Sequence, residues 1–172
     1  MSLKLYEEND IQAIADGIRS LTGNTSSYKV SEMNSKLSDY WGDFSPIANS
    51  VDENGEPYNN GLGYKLGYRA NSSGVEKEEA NAIVTGFIPI SVGDRIRISF
   101  LGSTATFYNV IMYTANHVIL DVIGHNGYRS INFIEMKTES SVSYIRFSAL
   151  GANTAENAEK IYMKIIHKDG DT

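Results

Sequence analysis

Residues 85–100 read Thr85-Gly86-Phe87-Ile88-Pro89-Ile90-Ser91-Val92-Gly93-Asp94-Arg95-Ile96-Arg97-Ile98-Ser99-Phe100, and the fold class turns on them. Ile96, Ile98 and Phe100 alternate with Arg95, Arg97 and Ser99, the period of two that gives a strand one buried and one wet face. Phe87, Ile88 and Ile90 are also apolar, but Pro89 interrupts them. Proline has no backbone donor, so this first strand is expected to be an edge or to end there. Val92-Gly93-Asp94 supplies a tight turn, and the whole is expected to be a hairpin.

The same kind of strand recurs downstream. Residues 106–113 and 117–123 are strand candidates, with Thr114-Ala115-Asn116 as a hairpin turn in which Asn116 takes positive φ. Further candidates are 130–135, 143–149 and 160–167, with Gly124-His125-Asn126-Gly127 as another turn. Ile145, Phe147, Ile161 and Met163 are expected inside, and Arg95, Arg97, Arg146 and Lys164 outside or locally paired. Upstream, Tyr64, Leu66 and Tyr68 alternate with Lys65, Gly67 and Arg69. Residues 71–81 are polar and read as an exposed loop. Short strands with turns every 8–12 residues predict an antiparallel β-sandwich, jelly-roll-like, over residues 45–172.

Residues 1–44 have a different period. Asn9 or Asp10 caps a helix over 10–22, with Ile11, Ile14, Ile18 and Leu21 on one face and Gly23-Asn24 as its stop. Ser31 opens a second helix whose apolar face is Met33, Leu37 and Tyr40 or Trp41. The expected helical hairpin is too small to stand alone. Its apolar residues Ile11, Ile14, Ile18, Leu21, Met33, Leu37 and Trp41 are therefore candidates for docking or for homo-oligomer formation, and a homotrimer is the expected state. Between the two parts, Asp43 to Asn60 reads as a linker. Asp52-Glu53-Asn54-Gly55-Glu56 within it concentrates oxygen ligands, but Pro57 and Gly63 stand where an EF-hand loop needs Gly and Glu, which leaves an Asn-Gly turn.

Composition narrows the functions. A net charge of −6 argues against a general phosphate-binding surface, so no nucleic-acid partner is expected. No apolar run approaches the roughly 20 residues of a membrane span, and the start lacks a secretory h-region. There is no cysteine, hence no disulfide and no thiolate metal site. Eleven tyrosines against one tryptophan are suited to sheet surfaces and to ligand faces needing an apolar body with a polar tip.

Two stretches resemble a known group of proteins. Asp10-Ile11-Gln12-Ala13-Ile14-Ala15-Asp16-Gly17-Ile18-Arg19, with Leu21-Thr22-Gly23 and Tyr28-Lys29-Val30-Ser31-Glu32-Met33, resembles the start of tail and baseplate proteins of phages infecting Gram-positive bacteria. Asn34 stands where those segments often have proline. Gly86-Phe87-Ile88-Pro89-Ile90 through Gly93-Asp94-Arg95-Ile96-Arg97, with Met112-Tyr113-Thr114-Ala115-Asn116 and Tyr144-Ile145-Arg146-Phe147-Ser148, resembles the sandwich domain of such proteins and of cell-surface binding modules. The resemblance implies a virion structural protein, made in the host cytoplasm, whose hairpin docks onto other virion proteins and whose sandwich meets host cell-surface polysaccharide. The alternatives are an assembly or scaffold protein without a ligand, and a bacterial cell-surface carbohydrate-binding module.

Catalytic chemistry is not expected. His117 and His125 flank one strand and would lie roughly 25 Å apart if it were extended. With His167, they read as surface residues. No Gly-x-Ser-x-Gly elbow occurs, and no spacing pairs Asp94, Asp121 or Glu135 as facing carboxylates. No metal or cofactor is expected. The candidate saccharide-contacting residues are Tyr64, Tyr68, Arg69, Tyr108, Tyr113, Tyr128 and Arg129.

Overall fold

The computed structural model describes residues 8–22, 42–100, 104–124, 133–137 and 141–167. The chain divides into two compact units, Met1–Gly42 and Asp43–Thr172.

In the first unit, helix α1 spans Glu8–Thr22. Ala15 and Ile18 are buried, whereas Ile14, expected on the covered face, is 53% exposed. The covered stripe thus passes through Ala15, to one side of the line from Ile14 to Ile18. The side chains of Ile11 and Leu21, and the expected second helix with Met33, Leu37 and Trp41, lie outside the described residues.

The second unit is mainly β. Two one-turn helices, α2 (Ser45–Ala48) and α3 (Ala155–Ala158), accompany nine described strands: β1 Tyr64–Ala70, β2 Glu76–Thr85, β3 Ile88–Pro89, β4 Arg95–Ser99, β5 Thr106–Tyr113, β6 Ile119–Gly124, β7 Phe133–Lys137, β8 Tyr144–Leu150 and β9 Tyr162–Ile166. Among the described residues, β1-β2-β8-β5-β6, with β3 also on β8, form one antiparallel sheet, and β7-β4-β9 form another. Ile96, Ile98 and Met163 of the smaller sheet share a core with Ile83, Met112 and Phe147 of the larger. Ile96, Ile98, Phe100, Ile145, Phe147, Ile161 and Met163 are all buried, as their alternation predicts.

The stretch 85–100 departs from a hairpin. β3 ends at Pro89, as the missing donor requires, and pairs with β8 (Ile88 opposite Ile145), whereas β4 pairs with β7 and β9. The amide of Asp94 donates to the carbonyl of Ser91 and Gly93 takes φ +90°, so the turn has positive φ at its third residue, as type II demands. It is a corner that carries the chain from one sheet to the other.

Two further expectations change. Residues 76–81 belong to β2, and the loop after β1 is only Asn71–Val75, tied by the Asn71 side chain to the amides of Ser73 (2.9 Å) and Val75 (3.0 Å). Cross-strand partners overrode the polar composition: Ala70, Arg69 and Tyr68 pair with Glu76, Lys77 and Glu78. In the turn after β5, positive φ falls on His117 (+57°) and not on Asn116, because the turn closes from the His117 amide to the Thr114 carbonyl.

Arg146 corrects the expected pattern most. It is 5% exposed, not outward in solvent. All of Ile145–Ala149 is buried, so β8 is covered on both faces. The cover on the outer face is the β1–β2 hairpin itself. Its register shifts between Leu66 and Tyr68, where Gly67 takes φ +74°, a conformation glycine adopts without cost. Past this bulge the hairpin lies over its own sheet. The Ala70 amide donates to Ser148 Oγ (2.9 Å), Asn109 Nδ2 donates to the Ala70 carbonyl (2.9 Å), and Glu76 meets Arg146. Ala70, Val84, Phe87, Ile111 and Tyr113 form a second apolar cluster there.

Candidate functional site

Where the bent hairpin meets the outer sheet face, a cleft of about 390 Å³ opens. It is lined by Asp52, Glu53 and Tyr58 of the linker, Ser73, Gly74, Val75 and Glu76 of the hairpin end, Phe87, Tyr113, His117 and Ile119, and Arg146 of β8.

Its floor is a charged network. Glu76 Oε1 accepts from the Tyr58 hydroxyl (2.6 Å) and from Arg146 Nη2 (2.6 Å), and Oε2 accepts from Lys65 Nζ (3.2 Å). Arg146 Nε donates to the Thr85 carbonyl (2.9 Å). Burial alone would raise the Glu76 carboxyl, but the Tyr58 hydroxyl, the Arg146 guanidinium and the Lys65 ammonium outweigh it and hold the group below its usual range. Tyr58 is pushed the other way, by burial and then by the carboxylate it donates to.

The wall is aromatic. Phe87 packs edge-on to Tyr113 (4.9 Å between centroids) and tilted against His117 (4.3 Å), and His117 stacks on Tyr144 (5.0 Å). Arg146 Cζ lies 4.9 Å from the Phe87 ring centre, a cation–π distance. His117 is thus no surface histidine of the expected kind. Its positive φ is sterically costly for a non-glycine residue. The Tyr113 hydroxyl and His117 Nε2 are buried and meet no well-aligned hydrogen-bond partner among the described residues, although the Arg146 guanidinium lies close enough to the Tyr113 hydroxyl to act on it. Burial raises the Tyr113 phenol, while the nearby Arg146 charge acts against that rise.

At one rim, Asp52 Oδ1 accepts from the amides of Asn54 (2.8 Å) and Glu56 (3.0 Å), and these bonds hold the carboxyl below its usual range. Gly55 at φ +83° completes the expected Asn-Gly turn. Gly86 permits the approach of Tyr58, since a Cβ there would sit 2.5 Å from Tyr58 Cβ.

Of the candidates read from the sequence, Tyr113 lines this cleft. Tyr64 is buried in the main core, edge-on to Phe44. Tyr68 carries Lys65 Nζ 3.6 Å over its ring. Arg69 and Tyr108 are brought together, Nη1 donating to the hydroxyl (2.6 Å), with Glu79 3.6 Å from Arg69 Nε. Tyr128, Arg129 and His125 lie outside the described residues. His167 Nδ1 is 3.1 Å from the buried Asp94 carboxylate. Tyr58, Glu76, Phe87, His117 and Arg146 were missed as site residues. The available signal was an arginine between Ile145 and Phe147 in a strand that holds no glycine or proline.

Among the described residues, no helix is long and apolar enough to cross a membrane. In comparison with known proteins, no family matches the chain, and no curated protein or solved structure matches it significantly either.

Proposed function

We propose that residues 45–172 form a β-sandwich of jelly-roll type that binds saccharide in the Tyr58–Arg146 cleft without altering it chemically. In this reading the chain is a tail or baseplate protein of a phage of Gram-positive bacteria, located in the virion and facing host cell-surface polysaccharide. Two antiparallel sheets sharing one core support the sandwich. Strand β8, bonded to the sequence-distant β2 and β5, supports the jelly-roll connectivity.

The observation that carries the binding is the cleft itself. It places hydroxyl, carboxylate and guanidinium groups beside apolar Val75, Ile119 and Phe87, the mixture that suits a sugar's hydroxyls and its C–H face. Tyr113 and His117 of its aromatic wall present ring faces and edges to the same space. The exposed Ile14 in α1 supports a homo-oligomer, with a trimer and docking to other virion proteins resting on the resemblance alone.

Binding of the full chain to a carbohydrate array and to purified Gram-positive cell walls tests the function. The expected result is a glycan signal that Tyr113→Phe weakens. A clean array and no wall binding would leave the assembly protein as the reading. A mass by light scattering near the 19.0 kDa of one chain would end the oligomer proposal.

A further inference from the structure

The larger sheet has two edges, and the chain protects them unequally. Among the described residues, β1 and β6 end the strand order, so each has one side that no described strand pairs. An edge of this kind presents backbone groups to any strand of another molecule. β1 carries Lys65 and Arg69, and its register breaks beside Gly67; charges and bulges both spoil an edge for pairing.

β6 has less protection. Residues 118–123 read Val-Ile-Leu-Asp-Val-Ile, five apolar residues and a single charge, with no proline or glycine. That composition favours association of strand with strand. Val118 is 61% and Leu120 44% exposed, so these side chains are not hidden. The register on β5 shifts once, past Leu120, and is regular from Asp121 to Gly124. The regular part could therefore template a further strand.

Asp121 stands at its start. Its Oδ1 accepts from the amide of Val122 (2.8 Å), and the residue is exposed. An amide bonded within its own strand is not offered to an incoming carbonyl. A second copy aligned on β6 would have to break that bond, and would bring another carboxylate into the same short pair of strands. Two like charges at contact distance in water weaken association about fivefold.

We propose that Asp121 is an autoinhibitory contact: by holding the Val122 amide and charging the rim of the sheet, it keeps β6 from pairing with β6 of a second copy. The contact is independent of the cleft and of what the cleft binds.

The chain has no cysteine, so a single introduced thiol reports on one place. Leu120→Cys is made in the otherwise natural full chain and together with Asp121→Ala. Both are treated with a short bis-maleimide crosslinker, which tolerates any register of the two strands, and covalent dimers are measured on a denaturing gel. The expected yield is low in Leu120→Cys alone and at least about fivefold higher with Asp121→Ala. Asp121→Asn keeps an acceptor for the amide but loses the charge, and its yield should fall between the two. Leu62→Cys, at another exposed apolar position (53%), should not respond to Asp121→Ala. Denaturant titration checks that each variant is folded, and should Asp121→Ala unfold, Asp121→Asn carries the test. Equal yields at position 120 with and without the carboxylate would overturn the proposal. A high yield in Leu120→Cys alone would do the same, by showing β6 already paired. A rise shared equally by position 62 would show general adhesion in place of strand pairing, and would overturn it too.

Discussion

Removing Glu76 should harm the fold more than removing Arg146, although the two are hydrogen-bonded to each other. The reason is what each leaves behind. Glu76→Ala strands a guanidinium that is 7% exposed, leaving it the Thr85 carbonyl and neighbouring rings but no carboxylate among its described contacts, and also takes the acceptor from Tyr58. Breaking a buried pair in this way costs about 3–5 kcal/mol. Arg146→Met leaves a carboxylate that is 26% exposed and keeps Tyr58 and Lys65 as donors. Methionine also refills the space against Phe87, so the expected loss is about 1–2 kcal/mol, near that of one charge-assisted hydrogen bond. The double variant should be more stable than Glu76→Ala alone, because the stranded charge is gone. Guanidinium titration followed by far-UV circular dichroism, with unchanged m-values, measures all three. The pH dependence has a definite sign. The Glu76 carboxyl is lowered in the fold, so its contribution is complete above the ordinary carboxylate range and disappears as pH falls through the folded value. The gap between the natural protein and Glu76→Ala should therefore narrow in acid. If Arg146→Met proves as costly as Glu76→Ala, the guanidinium is not buried as described and the argument fails.

Other outcomes follow from packing. Tyr113→Phe should change stability by less than about 1 kcal/mol, since the buried hydroxyl it deletes makes no well-aligned hydrogen bond, and a larger loss in thermal denaturation would mean that the Arg146 guanidinium bonds it firmly. Gly86→Ala should cost about 1–3 kcal/mol in denaturant titration, because its Cβ would press on Tyr58 and on Ser50 Oγ at 2.7 Å. Phe147→Ala, at 0% exposure, should cost about 3–5 kcal/mol, and a loss below about 1 kcal/mol would mean the faces of β8 are misassigned. Gly17→Ala should raise the melting temperature, by the equivalent of about 0.5–1 kcal/mol, since no described residue lies within 4 Å of the added carbon and the residue is inside α1.

The strands were legible because alternation is local. Ile96, Ile98 and Phe100 announce a buried face wherever β4 goes, and Pro89 announces the end of β3. Partner choice was not legible, since the turn at Ser91–Asp94 could close a hairpin or turn a corner with the same residues. Nor could polarity reveal β2, because Lys77, Glu78 and Glu79 are soluble as loop or as exposed strand. What decided was pairing with β1.

The cleft was hidden for a related reason. Its residues come from 52–58, 73–76, 87, 113–119 and 146, and nothing in any one segment marks it. They meet where the β1–β2 register breaks, with Gly67 at φ +74° in β1 standing opposite Glu79 to Ala82 of β2, and the hairpin turns onto the sheet that it belongs to. That bend inverts the meaning of the alternation on β8. A strand whose second face is solvated carries arginine as a wet residue, whereas a strand covered by its own hairpin carries it as a buried charge that must find a carboxylate. Glu76, at the first position of the returning strand, is the carboxylate the bend delivers. The charge pair and the bend are therefore one structural decision. A change at Gly67 that straightens the hairpin should expose Arg146 and open the cleft together.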